Sequence, residues 1–295
     1  MAEASPTMDG AKPSSAPPYF LVGAERSGTT LLRLMMDHHP QICCLFESNF
    51  FVDYLTDDGG DPDPAWSQQQ VALDRAARRA GFEIEDGVPY REGVRAFFEE
   101  QLRLSGKPIA GSTIHRRLPD ILKVWPDARF VNLIRDPRDV APSVIKMGWA
   151  GDTWHGTRFW VDAQEDMERL RKLVPEGRFV QLRFEDLVSH PVDSLTKICD
   201  MLGLPYDEAI LSYPNDTTYP APDASAAARW KKKLSPREIQ LVEARAGAWL
   251  KRLGYEPSGQ PALAVTGMLR RRLVLKTRLA KLRFRIQRFG FGNVM

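Results

Sequence analysis

Short apolar runs alternate with amphipathic repeats along this chain. Four runs have the length and apolar content of buried strands, although the second also fits an extended turn: 19–23, 42–46, 129–135 and 179–184. Three repeats with apolar residues three or four positions apart predict helices: about 28–39, 191–202 and 235–254. Because strands that alternate with helices build parallel sheets, the pattern predicts an α/β fold around a mostly parallel sheet.

A glycine loop joins the first predicted strand to the first predicted helix. Gly23 and Gly28 have the G-x-x-x-x-G spacing of a loop whose backbone N–H groups cradle phosphate at a helix N-terminus. The next residue is Thr29, where a nucleoside triphosphatase has a lysine that reaches the β- and γ-phosphates. Because the loop carries Arg26 and lacks that lysine, we expect its nucleotide to be other than a triphosphate.

A second candidate anion site follows the strand 129–135. Arg135 stands at the predicted strand tip, and Ser143 falls about two turns into the helix that follows. Ligands of open α/β sheets bind beyond the carboxyl ends of the strands, so we expect both loops at one edge of the sheet. An arginine and a hydroxyl there suit a phosphate group; the alternative is a surface Arg–Asp network that only caps the helix.

These two blocks resemble the 5′-phosphosulfate and 3′-phosphate motifs of sulfotransferases that use 3′-phosphoadenosine 5′-phosphosulfate (PAPS). Residues 183–187 and the block from Trp230 to Tyr255 extend the resemblance over 18–256, with a patchy stretch at 56–106. The motif spacing is most similar to that of tyrosylprotein-type and bacterial sulfotransferases. The resemblance implies a three-layer, P-loop-like α/β fold with a central, mostly parallel sheet.

The resemblance also implies which residues bind the PAPS donor. Arg26 takes the place beside the bridging oxygen, which gains negative charge as the sulfuryl group leaves, while Arg135 and Ser143 take the 3′-phosphate. The full donor-binding set is Arg26, Ser27, Gly28, Thr29, Thr30, Arg135, Ser143, Phe184, Arg229 and Trp230. The family needs no metal, and the sequence shows no Cys/His cluster with zinc-ligand spacing.

Sulfuryl transfer also needs a base for the acceptor proton. Glu47 is the first candidate, because it follows Arg26 by 21 residues, the spacing of the catalytic glutamate in tyrosylprotein-type sulfotransferases. Its partly apolar setting is expected to raise its pKa toward a useful range. His115 is the competing base, since cytosolic and carbohydrate sulfotransferases often use a histidine. The alternatives are an exposed ion-pairing glutamate and a structural histidine.

Three positions depart from the family pattern. Many relatives carry a lysine in the strand that precedes the 3′-phosphate motif, but the matching stretch here is 111–114 and lacks it. Phe184 replaces a tyrosine near the nucleotide, and Pro142 removes a hydrogen bond inside the helix that carries Ser143. The candidates to replace the missing lysine are Lys107, Arg116 and Arg117, and the alternative is that the sulfonyl oxygens rely on Arg26 alone.

Charge and composition divide the chain into three parts. Residues 1–17 are rich in Ala, Ser and Pro and are expected to be disordered, and 18–256 form the sulfotransferase domain. Within that domain, 56–106 is interpreted as a helical insertion with helices near 67–80 and 91–104, either an acceptor wall or a solvated cap. The third part, 257–295, is a basic amphipathic tail.

The tail carries nine of the 41 Lys/Arg residues and no acid, so the first 256 residues hold 32 basic and 38 acidic side chains. Apolar residues recur on one face of the predicted tail helix at Leu275, Leu279, Leu282, Ile286 and Phe289. This pattern over 268–289 suits an anionic membrane surface, with nucleic acid not expected as a partner. The alternative is that the tail packs on its own acidic body or on a second subunit.

The sequence therefore predicts a cytoplasmic sulfotransferase, peripheral on the membrane if the tail binds lipid, that moves the sulfuryl group of PAPS to a hydroxyl or amine. The acceptor is a carbohydrate, a lipid or another metabolite.

Three cysteines, two of them adjacent, predict a reduced protein without a disulfide framework. The rivals are a P-loop kinase, which would need a lysine and Mg²⁺ ligands, and a silent adaptor that binds PAPS or membranes.

Overall fold

The computed structural model describes residues 16–289, so the disorder expected for 1–17 lies outside the described residues except at Ala16 and Pro17. The strands within this range are β1 (Tyr19–Val22), β2 (Ile42–Glu47), β3 (Ile109–Ile114), β4 (Arg129–Ile134) and β5 (Phe179–Arg183). The α-helices of the first half are α1 (Thr29–Asp37), α2 (Phe50–Asp53), α3 (Pro64–Leu73), α4 (Arg75–Ala80), α5 (Tyr90–Ser105), α6 (Ile121–Val124) and α7 (Pro137–Lys146). Those of the second half are α8 (Thr153–Arg171), α9 (Phe184–Ser189), α10 (Pro191–Leu202), α11 (Trp230–Lys233), α12 (Pro236–Ala246), α13 (Ala248–Arg252) and α14 (Gly267–Phe289).

The five strands form one parallel sheet in the order β2-β3-β1-β4-β5, which confirms the predicted α/β fold. The central strand is β1, where Tyr19 pairs with Gly111 of β3 on one side and Arg129 of β4 on the other. The glycine loop leaves β1 and the Arg135 block leaves β4. Because these strands are parallel neighbours, their carboxyl ends bring both blocks to the same edge of the sheet.

Helices cover both faces of the sheet because side chains alternate along each strand. Phe20 of β1 packs with Trp125 and Phe130 on one face. Leu21 points to the other face, where the core also contains Leu32 of α1. A layer of helices on each face of a parallel sheet gives three layers, as the resemblance implies.

Helix boundaries differ from the predictions where polar residues interrupt the pattern. The stretch near 67–80 forms two helices, because Asp74 adopts an extended backbone and its carboxylate accepts hydrogen bonds from the N–H groups of Ala76 and Ala77. The predicted helix 235–254 also divides, since Gly247 at φ 54° and ψ −131° lies outside the helical region. The helix α8 was not predicted, although its residue Trp160 is fully buried.

The tail helix α14 packs against the body of the protein, partly on α8. Its Leu273 and Thr277 are buried, and Phe284 lies against Gly148. No helix between residues 16 and 289 combines the length and the apolar character needed to cross a bilayer.

Candidate active site

The glycine loop is a compact turn that leaves backbone donors at the start of α1. Gly23 and Gly28 adopt φ values of 145° and 99°, and a Cβ at Gly28 would stand 2.4 Å from the Phe184 ring. Gly28 is the N-cap of α1, and no side chain hydrogen-bonds there. A helix start without a side-chain cap offers its backbone N–H groups to an anion.

The second block holds Arg135 at the same edge. Its guanidinium carbon lies 4.0 Å from the centroid of the Phe184 ring, and one of its nitrogens donates to the Ala226 carbonyl at 2.9 Å. Burial lowers the pKa of Arg135, although the nearby carboxylates of Asp139 and Glu185 oppose the shift. An arginine pKa begins so high that the group stays charged, so the site keeps a fixed cation.

The two blocks meet through one hydrogen bond. The Arg26 Nε donates to the Ser143 Oγ at 3.0 Å, which joins the glycine loop to α7. A cavity of about 380 Å³ lies between them, and Arg26 and Arg135 both line it. The predicted residues around this cavity are Arg26, Gly28, Thr29, Thr30, Glu47, His115, Arg135, Ser143, Phe184 and Arg229.

Two polar atoms of the predicted donor-binding residues have no hydrogen-bond partner within the described residues. The Ser27 Oγ and the Arg135 Nε are buried and have no hydrogen-bond partner within residues 16–289. A buried polar group without a partner costs about 1–3 kcal/mol, so oxygen atoms of a ligand there would be stabilising. Of these two residues only Arg135 lines the cavity, so its Nε is the unpartnered donor that an oxygen atom of a ligand could meet there.

The other end of the cavity holds Glu47 and His115. The His115 Nδ1 lies 2.9 Å from the Gly23 carbonyl oxygen, which can only accept, so Nδ1 carries a proton and neutral His115 has its lone pair on Nε2. That Nε2 lies 3.8 Å from a Glu47 carboxylate oxygen. Asn49 orients both residues, because its amide donates to Glu47 at 2.8 Å and its oxygen accepts from the His115 backbone N–H at 2.8 Å.

Comparison with known proteins identifies the family of this chain. A sequence model described as the sulfotransferase family matches residues 17–208. The chain belongs to the sulfotransferase family. Protein-tyrosine sulfotransferase 1 of Danio rerio is 26% identical over 276 residues, which cover 83% of this chain and 74% of that protein.

Two further relatives broaden the comparison. Omega-hydroxy-beta-dihydromenaquinone-9 sulfotransferase of Mycobacterium bovis is 29% identical over 153 residues, which cover 48% of this chain and 39% of that protein. The solved sulfotransferase domain from the curacin biosynthetic pathway superposes with a TM-score of 0.61 at 18% identity and covers 82% of this chain and 99% of that domain. The structural likeness confirms the sulfotransferase fold.

Several cavity residues of this sulfotransferase were missed by the sequence analysis. Glu25 borders the cavity, where burial raises its pKa, His115 opposes that shift and Glu47 adds to it. Trp149 and part of the segment 219–226 form another wall. The only sequence signal for that segment is its Tyr-Pro-Ala-Pro-Asp composition, which is typical of an irregular loop.

Trp230 and Ser27 do not line this cavity. The Trp230 ring stacks on the Arg138 guanidinium at 3.9 Å, and its backbone N–H donates to Asp139 at 2.7 Å. It instead borders a neighbouring cavity that Arg135, Ser143 and Arg229 share. Ser27, within the glycine loop, is fully buried.

The structure does not bring the three candidate lysine replacements to this cavity. Lys107 lies before β3, away from its carboxyl end, and donates to the Asp37 and Ile42 carbonyls. Arg117 donates to Asp120 and to backbone carbonyls between 53 and 56. Arg116 forms a bidentate ion pair with Asp53. None of the three lines this cavity, whose arginines are Arg26, Arg135 and Arg229. This arrangement favours the alternative that the sulfonyl oxygens rely on Arg26, which stays a prediction.

Proposed function

We propose that this sulfotransferase moves the sulfuryl group of PAPS to an acceptor hydroxyl in the cavity between the glycine loop and α7. The observation that carries the proposal is the Arg26–Ser143 hydrogen bond, since it joins two anion-binding blocks around one cavity. PAPS supplies the sulfuryl group and leaves as 3′-phosphoadenosine 5′-phosphate. The PAPS identity rests on family membership and on the fit of the two loops to a nucleotide with two charged ends.

The roles proposed for the donor-binding residues follow from their positions. Ser27, Thr29 and Thr30 lie at the start of α1, where hydroxyl and backbone N–H groups suit the 5′-phosphosulfate. Arg135 and Ser143 suit the 3′-phosphate, and Arg229 lies on the same cavity wall. Arg26 is exposed enough to follow the bridging oxygen, where a fixed cation stabilises the charge that develops in the transition state.

Glu47 is proposed as the base, with His115 beside it. As the acceptor oxygen bonds to sulfur and the bond from sulfur to the bridging oxygen breaks, the acceptor proton moves to the Glu47 carboxylate. In-line transfer of this kind depends mainly on positioning, by analogy with phosphoryl transfer. Asn49 would position the base, because it hydrogen-bonds both to the Glu47 carboxylate and to the His115 backbone. The lone pair on His115 Nε2 keeps histidine as the alternative base.

The acceptor class is proposed to be a hydroxyl compound. The protein-tyrosine and omega-hydroxy-menaquinone sulfotransferases are both named for acceptors that present a hydroxyl group. A carbohydrate acceptor, an amine acceptor and a cytoplasmic location remain predictions of the sequence. The region 56–106 does not border the main cavity, so the acceptor walls nearest the base come from other segments.

The test is Glu47→Gln, which preserves shape and removes the basic carboxylate. We expect turnover with PAPS and a phenolic or lipid alcohol to fall by about 10²- to 10⁴-fold, the usual contribution of a general base. Affinity for 3′-phosphoadenosine 5′-phosphate should stay within about twofold, because Glu47 lies at the acceptor end.

The matched comparison is His115→Gln, measured with the same two assays. If that variant loses the turnover while Glu47→Gln retains it, His115 is the base and the assignment is reversed. If nucleotide binding persists in both variants but wild type transfers to no hydroxyl acceptor, the silent adaptor is the better description. Tighter binding of ATP–Mg²⁺ than of the bisphosphate would favour the kinase.

A further inference from the structure

The tail helix α14 presents one face to the body of the protein. The Thr277 hydroxyl donates to the Asp152 carboxylate at 2.7 Å, and the Gly151 N–H donates back to Thr277 at 3.1 Å. Phe284 lies so close to Gly148 that a Cβ there would stand 2.3 Å from the ring. Leu273 is buried on the same side. These contacts fix the orientation of the helix around its own axis.

The opposite face of α14 is apolar and faces solvent. Met268, Leu275, Leu279 and Leu282 expose 68%, 59%, 48% and 46% of their surface. At about 100° per residue, these four side chains lie on nearly the opposite side of the helix from Leu273, Thr277 and Phe284. Three residues of the predicted stripe, Leu275, Leu279 and Leu282, are therefore exposed together, and the body packs against a different set of residues. The side chain of Phe289 lies outside the described residues.

Basic side chains flank this exposed stripe on both sides. By helical position, Arg271 and Arg278 lie along one edge of the stripe, and Arg272 and Arg283 lie along the other. The segment after Glu256 contains nine basic residues and no acid. An apolar stripe between two cationic edges is the pattern of a helix that lies in the plane of a membrane interface.

We propose that the exposed face of α14 binds the surface of an anionic lipid bilayer. The leucines would enter the acyl boundary, and the arginines would reach the anionic headgroups beside them. A second copy of the chain fits less well, because a stripe-to-stripe contact would bring the arginine edges of both copies together. Nucleic acid would satisfy the arginines but would leave the leucine stripe in water.

The position of α14 relates this surface to the acceptor end of the site. A cavity of about 580 Å³ lies between α14 and the body, bordered by Lys281, Phe284 and Arg285. Glu25 and Trp149 line both this cavity and the main one. A bilayer bound to α14 would therefore be separated from the acceptor end by about one helix diameter, roughly 10 Å. On the proposed function, this proximity favours a hydroxyl carried by a lipid.

The test is sedimentation of the full chain with vesicles of phosphatidylcholine, alone or mixed with phosphatidylglycerol. Wild type should pellet with the mixed vesicles and stay in solution with the neutral ones, and added salt should release it. The triple variant L275Q/L279Q/L282Q should lose at least about tenfold in partitioning, because three apolar side chains no longer enter the bilayer. Arg278→Gln should lose about fivefold.

The matched control is L73Q/L104Q/L173Q, which changes three exposed leucines of the body. It should pellet like wild type, and a circular dichroism spectrum and a urea midpoint like those of wild type show that each variant is folded. Equal pelleting of the two triple variants, or no pelleting of wild type with mixed vesicles, would overturn the proposal. A concentration-dependent dimer that the L275Q/L279Q/L282Q variant abolishes would assign the face to a second copy. Because sedimentation needs no sulfuryl transfer, it is independent of the proposed activity.

Discussion

Arg26 and Arg135 provide cationic groups in different environments. Arg26 is exposed and donates to Ser143 across the cavity. Arg135 is largely buried, stacked on Phe184 and held by the Ala226 carbonyl, with its Nε unpartnered. A held guanidinium loses little conformational freedom on binding, which suits Arg135 to a fixed phosphate, while the exposed Arg26 can follow the oxygen where charge develops.

Removing the Arg135 charge should weaken recognition of the 3′-phosphate. We expect Arg135→Gln to lose about 10- to 100-fold in affinity for 3′-phosphoadenosine 5′-phosphate, since a charge-assisted hydrogen bond contributes about 1.5–3 kcal/mol. Affinity for adenosine 5′-phosphate, which lacks that group, should change little in the same calorimetric titration. Arg178→Gln is the control, because Arg178 interacts with Pro126 and Asp127 away from the cavity. Equal losses for both nucleotides would contradict the assigned role.

The partly buried carboxyl of Glu25 should make stability depend on pH. Burial raises its folded-state pKa above the ordinary 4.5, so the folded protein holds this proton more tightly than the unfolded chain does. The resulting stabilisation is complete below the unfolded pKa and is lost as pH rises through the folded pKa. Glu25→Gln should therefore raise the free energy of unfolding at pH 8 relative to wild type, with the gap narrowing as the pH falls to about 4.

Urea unfolding at a series of pH values measures this effect. The comparison is Glu83→Gln, since Glu83 is exposed and should give a pH dependence like that of wild type. If the Glu25→Gln protein is less stable than wild type at pH 8, the prediction is wrong and the ionised Glu25 carboxylate stabilises the folded state.

Sequence reasoning identified the residues whose type and spacing form a motif. Arg26, Arg135 and Ser143 stand at recognisable distances from strand ends, so their meeting at one sheet edge followed from parallel pairing. Glu25 and Trp149 carry no such pattern. They reach the cavity only because the glycine loop and the turn after α7 pack together, which depends on contacts between distant segments.

Glycines and caps set the element boundaries. The strands were predicted well, because a buried parallel strand is a continuous apolar run. The strand β3 is the exception, because Gly111 interrupts its apolar run. A glycine is required at that position, since a Cβ there would stand 2.3 Å from the Tyr19 ring. The helix α8 was missed although Trp160, Ala163, Met167 and Leu170 are buried at helical spacing, because polar Gln164 and Asp166 are buried beside them.

One hydroxyl links the tail helix α14 to the N-terminus of α8. Asp152 caps α8 by accepting from the His155 N–H at 2.9 Å, and Thr277 donates to the same carboxylate. Thr277→Val keeps the shape and removes that donor, so we expect a loss of about 1–3 kcal/mol in the free energy of unfolding. Faster amide hydrogen exchange across 267–289 should accompany the loss.

Thr218→Val is the matched control for that experiment, because Thr218 is exposed on the body. It should leave both the urea midpoint and the exchange of α14 unchanged. If Thr277→Val behaves like this control, the tail helix is held by its apolar contacts alone.

Charge is divided between an acidic body, residues 1–256, and a basic tail, residues 257–295. On the proposed function, a few local arginines and the N-terminus of α1 would bind the anionic donor, although the first 256 residues carry a net charge of −6. The tail carries the excess of positive charge on α14, away from the glycine loop in sequence. Net charge thus describes neither the donor site nor the tail, and each needs its own test.

In the proposed function, the glycine loop and the Arg135 block together form one donor site. Calorimetric titration of the full chain with 3′-phosphoadenosine 5′-phosphate, in the presence of EDTA, tests it most directly. We expect one nucleotide to bind per chain, and both Arg26→Gln and Arg135→Gln should weaken this binding. ATP with Mg²⁺ should bind little. Absence of bisphosphate binding, or binding that neither variant changes, would contradict it.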